Sequence, residues 1–101
     1  MIRHIVMWSL KEVAEGADKA TNIQKMKLLL ESCRNLVDGM LTLDVGLEQP
    51  GLQAGCDLIL YSEFRDKAAL DAYQEHPTHQ AIKPFVGAVI QTRICMDYEV
   101  S

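Results

Sequence analysis

Four stretches of this chain alternate apolar and polar residues, two others repeat at helical spacing, and their order leaves few folds open. The first alternating stretch covers residues 2–10, with Ile2, His4, Val6, Trp8 and Leu10 on one face and Arg3, Ile5, Met7 and Ser9 on the other. Both faces carry apolar groups, so both are expected to be at least partly covered. Lys11 to Ala17 reads as a polar loop around Gly16. From Asp18 to Val37, the residues Ile23, Met26, Leu30, Cys33 and Val37 recur at three- and four-residue steps and predict a helix. Asp38-Gly39 offers a stop, with glycine available for a left-handed cap. A second strand is predicted over Met40–Glu48, where Leu41, Leu43, Val45 and Leu47 alternate with polar or small residues. A loop with Pro50, Gly51 and Gly55 separates it from a third strand, Asp57–Phe64. Asp66 is a good N-cap for a short helix reaching Tyr73. Pro77 opens another helix carrying Ala81, Ile82 and Phe85, which Pro84 is expected to shorten or bend. A last strand is predicted over Ala88–Val100.

The order β-α-β-β-α-β is the ferredoxin-like arrangement of the α+β class, an antiparallel sheet with helices on one face. Its other face must be solvated or shared. Ile5 and Met7 point away from Trp8, so sharing is expected, and two such sheets packed together make a dimeric α+β barrel. With 101 residues, the chain reads as a single domain over 1–101. A hydrophobic fraction of 49% suffices for a core, yet a domain this small gains from burying a sheet face by dimerisation. The net charge is -4, and no basic run interleaves with aromatics, which disfavours nucleic-acid binding. No apolar run reaches the length of a membrane span, and the opening residues pattern as a strand, so no signal peptide is expected. Cys33, Cys56 and Cys95 are odd in number and lack a CxxC spacing. They read as reduced thiols of a cytoplasmic protein, neither a disulfide framework nor a zinc site.

The stretch Tyr73 to Ile82 holds His76 and His79 beside a tyrosine and a proline. A proline between two short helices turns the chain, which would aim Tyr73 and His79 at one spot. With Pro77 as the first helical residue, His79 lies in the first turn, where the helix dipole disfavours imidazolium. Partial burial acts the same way. A neutral imidazole is a general base at pH 7, able to take a proton from carbon next to a carbonyl. Tyr73 would then hydrogen-bond to the oxygen that becomes an enolate. This pairing suits an intramolecular aldol condensation or an enol–keto isomerisation.

The same residues also fit structural roles. His79 and Thr78 can cap or pack the helix start, and Tyr73 can finish the core with its hydroxyl at the rim. His76 precedes a proline, is held extended, and is expected to cap the next helix. His4 fits a buried core histidine. A metal site built from His4, His76 and His79 is not expected, because residues flanking Pro77 need not converge. Arg93 and Asp97 share a face of the last strand; they are expected to pair with each other or across a dimer, with substrate anchoring a lesser role.

Several segments together resemble the stress-responsive A/B barrel (Dabb) family. They are Ile2-Arg3-His4-Ile5-Val6, the run Asp57 to Phe64, Tyr73-Gln74-Glu75-His76-Pro77-Thr78-His79, and Met96-Asp97-Tyr98. The resemblance covers nearly the whole chain and implies a ferredoxin-like fold and a homodimer. The family includes plant proteins linked to stress, bacterial members of no known activity, and a polyketide cyclase. In the cyclising type, a Tyr and a His matching Tyr73 and His79 carry the chemistry, and the histidine matching His4 lies near the pocket. The catalytic candidates are therefore His79 and Tyr73, and the substrate-binding candidates His4, Trp8 and His76. No cofactor and no metal are expected, and the ligand is expected to be a small apolar or carbonyl compound. Two readings stay open: a cofactor-independent cyclase, lyase or isomerase, and a non-catalytic ligand-binding or stress-linked dimer. A haem-binding or monooxygenase-like relative, with His76 or His79 as axial ligand, is a lesser alternative.

Overall fold

The structure, a computed structural model, describes residues 1–100. Its strands and helices are β1 (Ile2–Leu10), β2 (Val13–Ala14), β3 (Ala17–Asp18), α1 (Lys19–Glu31), β4 (Met40–Leu47), β5 (Leu58–Phe64), α2 (Lys67–Glu75), α3 (Pro77–Val89) and β6 (Ile90–Glu99). The four long strands form one antiparallel sheet in the order β4-β5-β1-β6. Leaving aside the small β2–β3 ribbon, this is the ferredoxin-like arrangement expected from the periodicities.

Alternation sorts the sheet residues. Val6, Trp8 and Leu10 of β1, Leu58, Leu60 and Phe64 of β5, and Leu43 and Val45 of β4 are buried. They pack with Met26 and Leu30 of α1, Leu70 and Tyr73 of α2, and Ile82 and Val89 of α3. Each such side chain contributes about 1.5–3 kcal/mol when fully buried. On the opposite face, Ile5, Met7, Ile94, Met96 and Tyr98 line a shallow apolar groove. Ile94 is 69% exposed and Met96 66% exposed there. Within the single chain, then, only one face of β1 is covered.

Three local expectations need correction. Lys11 to Ala17 is not plain loop, since β2 and β3 pair around Glu15 and Gly16. Both turn residues have positive φ, 52° and 73°, as a tight two-residue hairpin turn requires. The first helix ends at Glu31 rather than Val37. Beyond it, Cys33 N–H and Arg34 N–H bond three residues back, to Leu30 and Glu31, and Asn35 turns left-handed with φ 62°. Cys33 stays fully buried, so the apolar rhythm outlasts the helix that began it. Lastly, α3 runs unbroken through Pro84 to Val89. An internal proline costs about 3 kcal/mol or more; burial of Ile82 and Val89 on one helix face offsets it.

Candidate functional site

The chain reversal that builds the site is capped at each step. Asp66 accepts from Ala69 N–H at 2.9 Å and starts α2. His76 ends α2 in an extended conformation (φ -60°, ψ 136°), and its Nδ1 accepts from Thr78 N–H at 3.1 Å. Pro77 is then the first residue of α3, where its missing N–H is no loss. This places His79 in the first turn of α3, as expected.

Between the sheet and α1–α3 lies a cavity of about 390 Å³. Val6, Leu30, Leu60, Ile82 and Val86 supply apolar wall. His4, Trp8 and His79 also line it, so three of the five candidate residues meet there. Its charged lining side chains are Arg93, Lys83 and Glu75, two cations against one carboxylate. The site is thus locally positive in a chain of net charge -4.

His79 is half-buried, and its Nδ1 lies 3.2 Å from the carbonyl oxygen of Gln74. A carbonyl only accepts, so Nδ1 carries the proton and Nε2 keeps its lone pair. Burial lowers the pKa of His79 below its ordinary value, and the nearby Lys83 cation and His4 act in the same direction, while the Gln74 carbonyl opposes them. The imidazole is neutral at pH 7, as a base must be.

Tyr73 does not belong to the cavity lining. It is fully buried, with its ring packed against His79 (centroids 4.6 Å apart) and Phe64 (5.1 Å). Its hydroxyl is buried without a hydrogen-bond partner, and burial pushes the phenol strongly upward in pKa. The expected shared cavity for Tyr73 and His79 is therefore not formed: Tyr73 backs His79 instead of facing a ligand. His76 is likewise outside the lining, its Nδ1 lone pair committed to the α3 cap.

His4 is 3% exposed and sits opposite Ser62 on β5 and Asp97 on β6. Its Nδ1 makes a close hydrogen-bond contact with Asp97 Oδ1. Asp97 therefore pairs with His4 and not with Arg93, which instead lines the cavity opposite Trp8 in the β1–β6 register. Trp8 Nε1 is a buried donor without a partner, on a residue that lines the cavity. Gln74 and Lys83 could not be picked out from sequence, whereas Arg93, given there only a lesser substrate-anchoring role, does line the cavity. The alternation of β6, which puts Arg93 on the side of Asp97, is the signal that pointed to it.

Fold and cavity together define a small ferredoxin-like α+β domain with ligand-sized space between its sheet and helices. The family model described as Stress responsive A/B Barrel Domain (Dabb) matches residues 2–100, and the chain belongs to that family. A dimeric protein of unknown function with a ferredoxin-like fold from Bacteroides fragilis is 27% identical, with a TM-score of 0.79 over 98% of this chain and 95% of its own. A dimeric ferredoxin-like protein of unknown function from Jannaschia is also 27% identical, with a TM-score of 0.75 over 98% of each chain. A Dabb family protein from Mesorhizobium loti shares 24% identity and a TM-score of 0.68 over 99% of this chain and 96% of its own. No curated protein sequence matches the chain. No helix among the described residues is long and apolar enough to cross a membrane.

Proposed function

We propose that this chain forms a homodimer whose cavities carry out cofactor-free acid–base chemistry on a small carbonyl compound. His79 Nε2 takes a proton from the carbon next to the carbonyl. The C–H electron pair moves into the new C=C bond, and the carbonyl oxygen becomes an enolate. Arg93, a cation that lines the cavity, stabilises that oxygen, the role first expected of Tyr73. Tyr73 acts as a positioning residue that holds the His79 ring. Return of the proton at another atom completes an isomerisation. Attack of the enolate carbon on a second carbonyl of the same molecule, with the new alkoxide taking the proton back from His79 Nε2, completes an aldol cyclisation.

The observation that carries this reading is the environment of His79: a cavity-lining imidazole with its Nδ1 proton tied to Gln74 and its pKa lowered by burial. The two lining cations suit a ligand on which negative charge develops. The homodimer is supported by the uncovered apolar groove from Ile5 to Tyr98 and by the dimeric state of the Bacteroides fragilis and Jannaschia proteins. One observation favours the alternative of a non-catalytic ligand-binding dimer: the Tyr73 hydroxyl lies outside the cavity lining.

Deuterium exchange separates the two. Acetophenone in D2O is followed by proton NMR at its α-carbon, with wild type and with His79→Ala. The acid–base reading expects exchange faster than the buffer rate with wild type, lost in the variant. Ligand-induced shifts in the protein spectrum with exchange no faster than buffer would leave only the binding reading.

A further inference from the structure

A second group of reactive side chains meets across β1 and β6, and of its members His4 also lines the cavity. His4 and Asp97 are register partners, and Cys95, opposite Val6, shares their sheet face as the diagonal neighbour of His4. Cys95 Sγ lies 4.0 Å from His4 Nδ1 and 3.9 Å from Asp97 Oδ1, and Nδ1 and Oδ1 are in direct contact. All three ligand atoms fall within 4.8 Å of one another. In a tetrahedral zinc site, bonds of about 2.3 Å to sulfur and roughly 2.0–2.2 Å to nitrogen and oxygen hold ligand atoms about 3.3–3.6 Å apart. The two sulfur separations are within about half an ångström of that spacing. The third needs Asp97 to swing back by about 1 Å, and its side chain, 40% exposed, has room to do so.

We propose that His4 Nδ1, Cys95 Sγ and Asp97 Oδ1 form a three-ligand site for a divalent cation of the zinc class, with a fourth position open at the cavity His4 lines. One imidazole, one thiolate and one carboxylate suit zinc, cobalt or nickel; calcium and magnesium want oxygen donors only. Binding replaces the His4–Asp97 hydrogen bond. The imidazole proton moves to Nε2, the thiol proton leaves to solvent, and one proton is released per ion. Arg93, two residues before Cys95, repels a cation, so both the thiolate and the carboxylate must be ionised to hold it. The site shares only His4 with the three-histidine set that the sequence argued against. It could not be read from the chain, because His4 and Asp97 lie 93 positions apart.

The full chain is stripped of metal with a chelator and titrated with Co2+, then with Zn2+ in competition. The expected result is about one cobalt per chain, with the intense visible bands of four-coordinate cobalt and a near-ultraviolet thiolate charge-transfer band, displaced by zinc. Cys95→Ser, on an exposed strand, removes the charge-transfer band and weakens binding by about tenfold or more; Asp97→Asn weakens it by about tenfold. Cys56→Ser changes nothing. Circular dichroism shows the variants folded. Absence of a thiolate band, or a Cys95→Ser titration that overlays wild type, overturns the proposal and leaves a plain hydrogen-bonded trio. None of these readouts involves turnover, so they fail or succeed independently of His79 as a base.

Discussion

Replacing Tyr73 by phenylalanine tests the reassignment of that residue with two independent readouts. The Tyr73 side chain is fully buried and its hydroxyl has no partner. A buried hydroxyl without a hydrogen bond costs about 1–3 kcal/mol. Phenylalanine removes that penalty and keeps the ring against His79 and Phe64. The void left by one oxygen, roughly 15 Å³ at about 24 cal/mol per Å³, costs back about 0.4 kcal/mol. The net expectation is a gain of about 1 kcal/mol, or about 4–8 °C in Tm for a domain of this size. Thermal unfolding is followed by circular dichroism at one fixed chain concentration, because the Tm of a dimer depends on concentration. In the exchange assay, a positioning ring without its hydroxyl leaves the rate within about twofold of wild type. A hydroxyl that bonded the enolate would instead cost on the order of 100- to 1,000-fold. A Tm lowered by several degrees would show that the hydroxyl is bonded and that the burial argument is wrong. An exchange rate down a hundredfold would return Tyr73 to the catalytic machinery.

Other consequences are testable on the same protein. The folded pKa of His79 is below its ordinary value, so below about pH 6.5 the unfolded chain binds the extra proton first. Stability referable to His79 is therefore full above that pH and declines as pH falls through 6.5 toward the folded pKa, where it levels off; His79→Gln should flatten this part of a urea-unfolding pH series. Ile94→Lys puts a charge in the groove assigned to the dimer interface and removes an apolar contact worth about 1.5–3 kcal/mol on each side; light scattering should report a monomer, and an unchanged dimer would move the interface elsewhere. Gly39 has φ 90°, and a Cβ there would sit 2.9 Å from Ala69 Cβ, so Gly39→Ala should lose about 1–3 kcal/mol in denaturant unfolding. Asp66→Ala removes the cap bond to Ala69 N–H and should cost about 1 kcal/mol by the same measurement.

The strands were legible because a period of two is a geometric requirement of a half-buried sheet, and β1, β4, β5 and β6 all display it. Errors arose where apolar rhythm and backbone conformation part company. Cys33, Leu36 and Val37 extend the stripe of α1, yet Ser32 onward forms turns whose residues still pack on the core. Periodicity records burial, and burial does not require a helix. The β2–β3 ribbon has two-residue strands, too short for any alternation to register. Pro84 carried a strong local penalty that tertiary burial of its neighbours outweighed, a balance that appears only once the helix has something to pack against.

The local part of the site was equally legible: an extended residue before Pro77 and a first-turn His79 follow from proline stereochemistry alone. The fate of the Tyr73 hydroxyl depended on how α2 is rotated against the sheet, which adjacent residues do not encode. The polar inner face of β6 depended on register, since sliding β6 by one residue would carry Arg93, Cys95 and Asp97 to the other face. That register also explains an oddity of β6. Its apolar residues Ile94, Met96 and Tyr98 point away from the helices of their own chain, while Arg93, Cys95 and Asp97 point toward them. An edge strand facing a dry core would have the opposite pattern. The inversion requires a cover for the outer face, which a second copy of the sheet supplies. It also requires polar company for the inner face, which His4 and the cavity supply. A single alternating pattern in ten residues thus argues for the dimer and for the polar cavity at once. Ile94→Lys with an intact Co2+ titration would show the two faces acting separately.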